Sequence, residues 1–181
     1  MPRLFVAIDL PDEHRTALAG LRDDTLSARW TPTEQYHLTL RFIGDVSTDS
    51  AARIMPALAE VEGTGFSLQG HGLNVFPSLR RPRVVFAGID HEPALHTLQR
   101  QIEQTLSMIG VNTESKPFHP HVTLARLKQV SSARVRAYLR AHQSFTLDAF
   151  EVSRFHLYES ILRPEGSLHH RRATFDLRSR T

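Results

Sequence analysis

His37-Leu38-Thr39-Leu40 and His121-Val122-Thr123-Leu124 decide how this chain folds. They are two copies of one pattern, 84 positions apart in a chain of 181 residues. Side chains alternate between faces along an extended strand. His37 and Thr39 therefore share one face, with Leu38 and Leu40 on the other. His121 and Thr123 oppose Val122 and Leu124 in the same way. Each copy predicts a strand with an apolar side for a core and an imidazole-plus-hydroxyl side for polar chemistry. If the halves fold alike and face each other, both pairs meet in one cleft. Two imidazoles in one cleft are the minimum equipment for paired acid and base work near neutral pH.

Outward from the tetrads, the order strand, helix, tetrad strand, helix, strand occurs twice. Arg3 to Leu10 predicts a strand, and Pro11-Asp12-Glu13 a helix start. His14, Leu18, Leu21, Thr25 and Ala28 form that helix's stripe. The first tetrad strand runs to a turn at Gly44-Asp45. A helix is expected from about Thr48 to Val61, kinked by Pro56 or starting late because of it. Phe66 to Val75 predicts another extended segment. The second half opens with a strand at Arg83 to Ile89. Glu92-Pro93 starts a helix that Gly110 closes. The second tetrad strand follows, then a helix from Ser131 to Ala141. Phe145 to Tyr158 is extended and bent or split, and Arg171 to Leu177 is the last strand. The expected fold is α+β: two pseudo-symmetric lobes, each a small, mostly antiparallel sheet with outer helices, and an active-site cleft between them. Residues 1–181 form one bilobal domain with an internal duplication, roughly 1–82 and 83–181.

Composition is that of a globular protein, 40% hydrophobic and 23% charged. No apolar run approaches the roughly 20 residues of a membrane helix. The apolar stretch Leu4 to Ile8 is cut by Asp9 and predicts a strand rather than a secretion signal. The absence of cysteine excludes disulfides and thiolate metal sites, and fits a cytoplasmic protein. Net charge is +3, and 20 of the 22 basic residues are arginine. Guanidinium grips phosphate through two parallel hydrogen bonds, but the arginines are scattered, which favours compositional bias. Only Arg80-Arg81-Pro82-Arg83 and His169-His170-Arg171-Arg172 cluster. Such patches ordinarily lie on a solvated surface, where they can also meet an anionic polymer.

Arg29-Trp30 followed by Tyr36-His37-Leu38-Thr39-Leu40-Arg41-Phe42-Ile43-Gly44-Asp45 resembles the first signature of the two-histidine phosphoesterase superfamily. Lys116-Pro117-Phe118-His119-Pro120-His121-Val122-Thr123-Leu124-Ala125-Arg126 resembles the second. Within that superfamily the chain is most similar to the RNA 2′,3′-cyclic phosphodiesterases, also called 2′-5′ RNA ligases. Arg3 to Ile8, Phe76-Pro77 before Pro82-Arg83-Val84, and Leu157-Tyr158-Glu159-Ser160 with Gly166 agree with this. The chain departs from the family at Leu168-His169-His170, where a tyrosine is common.

The resemblance implies a phosphoric diester hydrolase that opens terminal 2′,3′-cyclic phosphates to 2′-phosphates. His37 would be the proton donor to the departing 3′ oxygen, and His121 the proton acceptor from water. The residues themselves do not distinguish these roles. Thr39 and Thr123 would donate to the phosphoryl oxygens, and Arg126 would clamp the phosphate. Strict alternation puts Arg126 on the face of Leu124, so that role requires a bulge or the end of the strand. Phe42 is the first-half counterpart of Arg126; it could stack on a base, but its parity and apolar neighbours favour the core. His119 is two before His121. Pro120 and the lack of nearby acids argue against a metal pair, which leaves an auxiliary role facing the substrate. His71, His91, His96, His142 and His156 are expected on the surface or in packing, and Trp30 and Tyr36 in the core. No metal or cofactor is expected. The expected partners are RNA ends carrying a cyclic phosphate, tRNA fragments among them, met by a monomer. Run backwards, the site would join two RNAs without ATP. Two other readings compete: the same chemistry on a small nucleotide or ADP-ribose cyclic phosphate, and an RNA-end binding module without turnover.

Overall fold

The two tetrad strands lie side by side in the computed structural model, which describes residues 1–164 and 166–179. The first half runs β1 (Arg3–Asp9), α1 (Asp12–Ala19), β2 (Ala28–Trp30), a 3-10 turn (Thr33–Gln35), β3 (His37–Asp45), α2 (Thr48–Ala59), β4 (Phe66–His71) and β5 (Leu73–Phe76). The second runs β6 (Val84–Gly88), α3 (Pro93–Met108), β7 (His121–Leu127), α4 (Ser132–Ala141), β8 (Thr146–Val152), β9 (Arg154–Arg163) and β10 (Gly166–Asp176).

The fold is α+β and its strand pairs are mostly antiparallel. The main sheet has the order β10-β9-β1-β3-β7-β6-β5, with β2 on the side of β7, and β4 pairs with β8 in a separate ribbon. The tetrad strands β3 and β7 touch at one register pair, Leu38 opposite Val122. This pair is the seam between the lobes. The lobes also exchange strands. β5 of the first half pairs with β6, while β9 of the second half pairs with β1.

Apolar parity sets the layers. Leu38, Leu40, Val122 and Leu124 are fully or nearly fully buried, in one core with Leu18 of α1, Ile54 and Leu58 of α2, Leu98 and Ile102 of α3, and Val135 of α4. The helices thus cover one face of the sheet, and the His-Thr face stays open.

Local signals set the helix ends. Ser47 caps α2 and Ser131 caps α4, each side chain accepting a backbone N–H. Glu92 does the same for α3, with Pro93 in the first turn. Several boundaries differ from the sequence expectation. α1 stops at Ala19, so Thr25 and Ala28 are not on it, and Ala28 begins β2. The stripe misled because Leu21, one of its members, is buried from the loop beyond the helix. α2 starts at Thr48 and continues past Pro56, held by Ile54 and Leu58 on its buried face. β10 starts at Gly166 rather than Arg171 because it pairs with β9 along its length.

Candidate active site

Both tetrad strands carry the same irregularity. In β7 the register against β6 slips, so that Thr123 faces Phe86 and Ala125 faces Val85, with Leu124 left over. In β3 the register against β1 slips likewise, with Leu40 left over between Thr39 and Arg41. Each slip is a bulge, which reverses the alternation beyond it. Leu124 and Ala125 are both buried, and Arg126 emerges on the histidine face. Leu40 and Arg41 are both buried, and Phe42 emerges on that face. The bulge that Arg126 required is therefore present. The same device overturns the core expectation for Phe42, which is 42% exposed in the cleft beneath the Arg3 guanidinium at 5.0 Å.

The cleft has a volume of about 980 Å³, and its walls include His37, Thr39, Phe42, His121, Thr123 and Arg126. The seam pair sets their arrangement. With Leu38 opposite Val122, antiparallel counting puts His37 beside Thr123 and Thr39 beside His121. The two histidines occupy diagonal corners, roughly 7–8 Å apart at the backbone. The centre of this arrangement thus has an imidazole at two diagonal corners and a threonine at the other two.

Both rings are held by one kind of bond. His37 Nδ1 donates to the Gln35 carbonyl at 2.7 Å, and His121 Nδ1 donates to the His119 carbonyl at 2.6 Å. In each case the acceptor lies two residues earlier. The bond leaves Nε2 as the other ring nitrogen, a lone pair when the ring is neutral and a donor when it is charged. Thr39 Oγ1 is 3.1 Å from His37 Nε2.

Aromatic rings wall both imidazoles. Phe5 of β1 lies 5.0 Å from His37, and Phe86 of β6 lies 5.2 Å from His121, between ring centres. Phe76 adds a second ring 5.0 Å from His121. Burial beside these rings disfavours the charged form. It pulls His37 down from 6.5 to about 4, and lowers His121 as well. The two imidazoles also repel one another's protons, so the first proton taken up discourages the second.

His119 does not line the cleft. Its ring packs edge-on to Phe76 and Phe86 at 5.3 and 5.6 Å, and its contribution to the site is its carbonyl. Trp30 was expected in the core; it does pack there, and it also lines the cleft. Tyr36 is in the core as expected. Among the described residues no three His, Cys, Asp or Glu side chains converge as a metal site. No helix among them is long and apolar enough to cross a membrane.

Sequence reasoning did not place His169, Gln35 or Phe5 at the site. His169 lies 5.3 Å from His37 and 4.9 Å from Phe5 between ring centres. Its own charged form is disfavoured by burial. Gln35 orients His37 through its carbonyl, while its amide donates to the Ser167 carbonyl at 2.7 Å. This ties the 3-10 turn to β10. A signal for the aromatic wall does exist: Phe5-Val6-Ala7-Ile8-Asp9 and Phe86-Ala87-Gly88-Ile89-Asp90 are near-repeats.

The chain is similar to known proteins over most of its length. The family model described as the 2′-5′ RNA ligase superfamily matches residues 10–162. An Aeropyrum pernix protein named RNA 2′,3′-cyclic phosphodiesterase is 36% identical, covering 84% of this chain and 90% of its own. A protein of the same name from Archaeoglobus fulgidus is 31% identical over 92% and 96%. Among solved structures, a Thermus thermophilus protein superposes with TM-score 0.81 at 27% identity, covering 99% of this chain and all of that one. E. coli LigT complexed with 3′-AMP gives 0.79 at 25%, covering 98% and 99%. Two bulged His-x-Thr strands meeting at one seam, and a family match across most of the chain, together establish that this protein belongs to the 2′-5′ RNA ligase superfamily.

Proposed function

We propose that the protein is an RNA 2′,3′-cyclic phosphodiesterase, working as a monomer in the cytoplasm on RNA ends such as tRNA fragments. The observation that carries this is the pair of imidazoles presented from diagonal corners of one cleft, with Thr39 beside His37 Nε2 and Thr123 on the same cleft wall. His121 takes a proton from water as the water oxygen bonds to phosphorus. The P–O3′ bond breaks on the opposite side, and His37 protonates the departing oxygen. A 2′-phosphomonoester remains. Thr39, Thr123 and Arg126 donate to the phosphoryl oxygens as charge builds on them. No step passes through a metal. In reverse, with an RNA 5′-hydroxyl in the place of water, the same groups form a 2′-5′ linkage. Residues 1–82 and 83–181 are read as two copies of one ancestral unit.

The test is incubation of the purified protein with an oligoribonucleotide ending in 2′,3′-cyclic phosphate, in the presence of chelator. A 2′-monophosphate is the expected product. A 3′-monophosphate, or activity lost on chelation, removes the reading.

The protonation states give a second expectation. Acid–base catalysis needs one proton shared between the two imidazoles. Burial holds His37 to about 4 and lowers His121 below the usual 6.5 in the free protein. The free site therefore loses its working proton as pH rises through a value below 6.5. A bound phosphodiester anion favours the imidazolium and raises that value. The alkaline limb of kcat is thus expected at higher pH than the alkaline limb of kcat/KM. Rate profiles from pH 4 to 9 measure both, and coincident limbs would count against a proton held between the histidines.

A further inference from the structure

Two basic clusters stood out in the sequence, and the structure treats them differently. In the β10 cluster, Arg171 binds Asp9 and lies 3.3 Å from the Tyr158 hydroxyl, while Arg172 pairs with Glu159 at 2.8 Å. Those charges are neutralised within the fold. The other cluster, Arg80-Arg81-Pro82-Arg83, sits on the turn between β5 and β6, with Arg80, Arg81 and Arg83 all exposed. Among the described residues, none of these three guanidinium groups has an ion-pair partner within 4 Å.

The turn is held in shape by its backbone. Arg83 N–H donates to the Phe76 carbonyl at 2.8 Å, and Arg81 N–H to the Ser78 carbonyl at 3.2 Å. Ser132, at the start of α4, donates its hydroxyl to the Arg80 carbonyl at 3.4 Å. A turn fixed by main-chain bonds has little backbone freedom left to lose on binding, so the cost that remains is that of ordering the arginine side chains.

Its place relative to the cleft gives it meaning. Val84 faces Arg126 across the β6–β7 ladder, and Leu127 N–H donates to the Arg83 carbonyl at 2.8 Å. Arg126 lines the cleft, so Arg83 begins where the cleft wall ends. From His121 to Arg126 the strand advances roughly 16 Å. The turn's three exposed arginines follow directly in the fold, adjacent to the cleft's lining residues rather than among them. A cyclic phosphate lies at the 3′ terminus of its RNA, so whatever leaves the cleft is the 5′ flank of the strand.

The geometry points to Arg80, Arg81 and Arg83 as a docking strip for the backbone of single-stranded RNA 5′ to the reacting phosphate. This rests on the cyclic phosphodiesterase reading and adds to it a preference for polymeric RNA over a mononucleotide. The strip touches no reacting atom. Its phosphate contacts raise substrate affinity and make it depend on salt.

The test compares the wild type with R80A/R81A/R83A on a cyclic-phosphate dinucleotide and on a 12-mer. On the 12-mer, kcat/KM is expected to fall about tenfold at low salt, and log kcat/KM to lose roughly 2 units of slope against log salt, at ~0.7 per phosphate. The dinucleotide rate is expected to stay unchanged. The triple lysine variant is expected to keep most of the 12-mer rate. Equal 12-mer rates and equal salt slopes in the wild type and the alanine variant overturn the strip. Fluorescence anisotropy of a labelled 12-mer separates the strip from the chemistry. If the wild type turns over neither substrate, the catalytic reading fails. The strip then stands if the alanine variant binds RNA more weakly than the wild type, and falls if it binds equally.

Discussion

His121→Ala is expected to lower turnover of a 2′,3′-cyclic-phosphate oligonucleotide by roughly 100- to 10,000-fold, with KM changed only a few-fold. In the proposed mechanism the loss falls on kcat, because there the imidazole takes its proton only as water attacks. On the same reading, Thr39, Thr123 and Arg126, which also line the cleft, would continue to hold the phosphate in the ground state. His37→Ala is expected to cost a similar factor by removing the donor to the leaving oxygen. The double variant is expected to be little worse than either single one, since each group is of use only when the other acts. His119→Ala is the informative control. Its ring lies outside the cleft, but its main-chain carbonyl, which survives the substitution, orients His121. A loss of less than about tenfold is expected there. If His119→Ala matched His121→Ala, the ring of His119 would have to act in the chemistry. Steady-state rates on a single oligonucleotide decide the comparison.

Arg41→Ala is expected to destabilise the fold by about 3–5 kcal/mol, seen as a lower urea midpoint at an unchanged slope. The bulge in β3 turns Arg41 away from the cleft and into the protein, where its side chain is 5% exposed. There it meets Glu103 of α3 at 2.6 Å and Glu114 at 3.5 Å. It also donates to the Phe42 carbonyl at 2.6 Å and to the Asn112 carbonyl. Without Arg41, the Glu103 carboxylate stays mostly buried without its counter-charge and Asn112 loses its donor. The cost therefore comes from what remains unpaired, more than from the pair itself. A double-mutant cycle separates the two: Arg41→Ala with Glu103→Ala is expected to cost less than the sum of the single changes. Additive losses would show that Arg41 acts through its other partners, the Phe42 and Asn112 carbonyls and Glu114.

The parts of this protein that were legible in its sequence are those that depend on local periodicity. His37, Thr39, His121 and Thr123 could be placed on one face because strand alternation is strict until a bulge interrupts it. Arg126 could be placed only by supposing such a bulge. Phe42 was read as core because no equivalent bulge was supposed in β3, although its position relative to the tetrad is the same. Parity carries no information about where an extra residue enters a ladder. His169 was missed for a different reason. Its segment, Gly166 to His170, is extended because it pairs with Glu159 to Arg163 of β9, and long-range pairing leaves little mark on local composition. β2 is three residues long and shows no period at all. The helices were found with ends that erred mainly in α1, where buried leucines continue beyond the last helical turn.

The traded edge strands have a consequence for how the two halves live together. A chain cut between residues 82 and 83 gives two fragments, and each keeps a strand that belongs beside the other's first strand. Neither fragment completes its own sheet. Each leaves open an edge that only its complement fits, so the halves assemble mutually or stay incomplete. Because one His-Thr pair comes from each, the two histidines of the cleft stand together only when both halves are present.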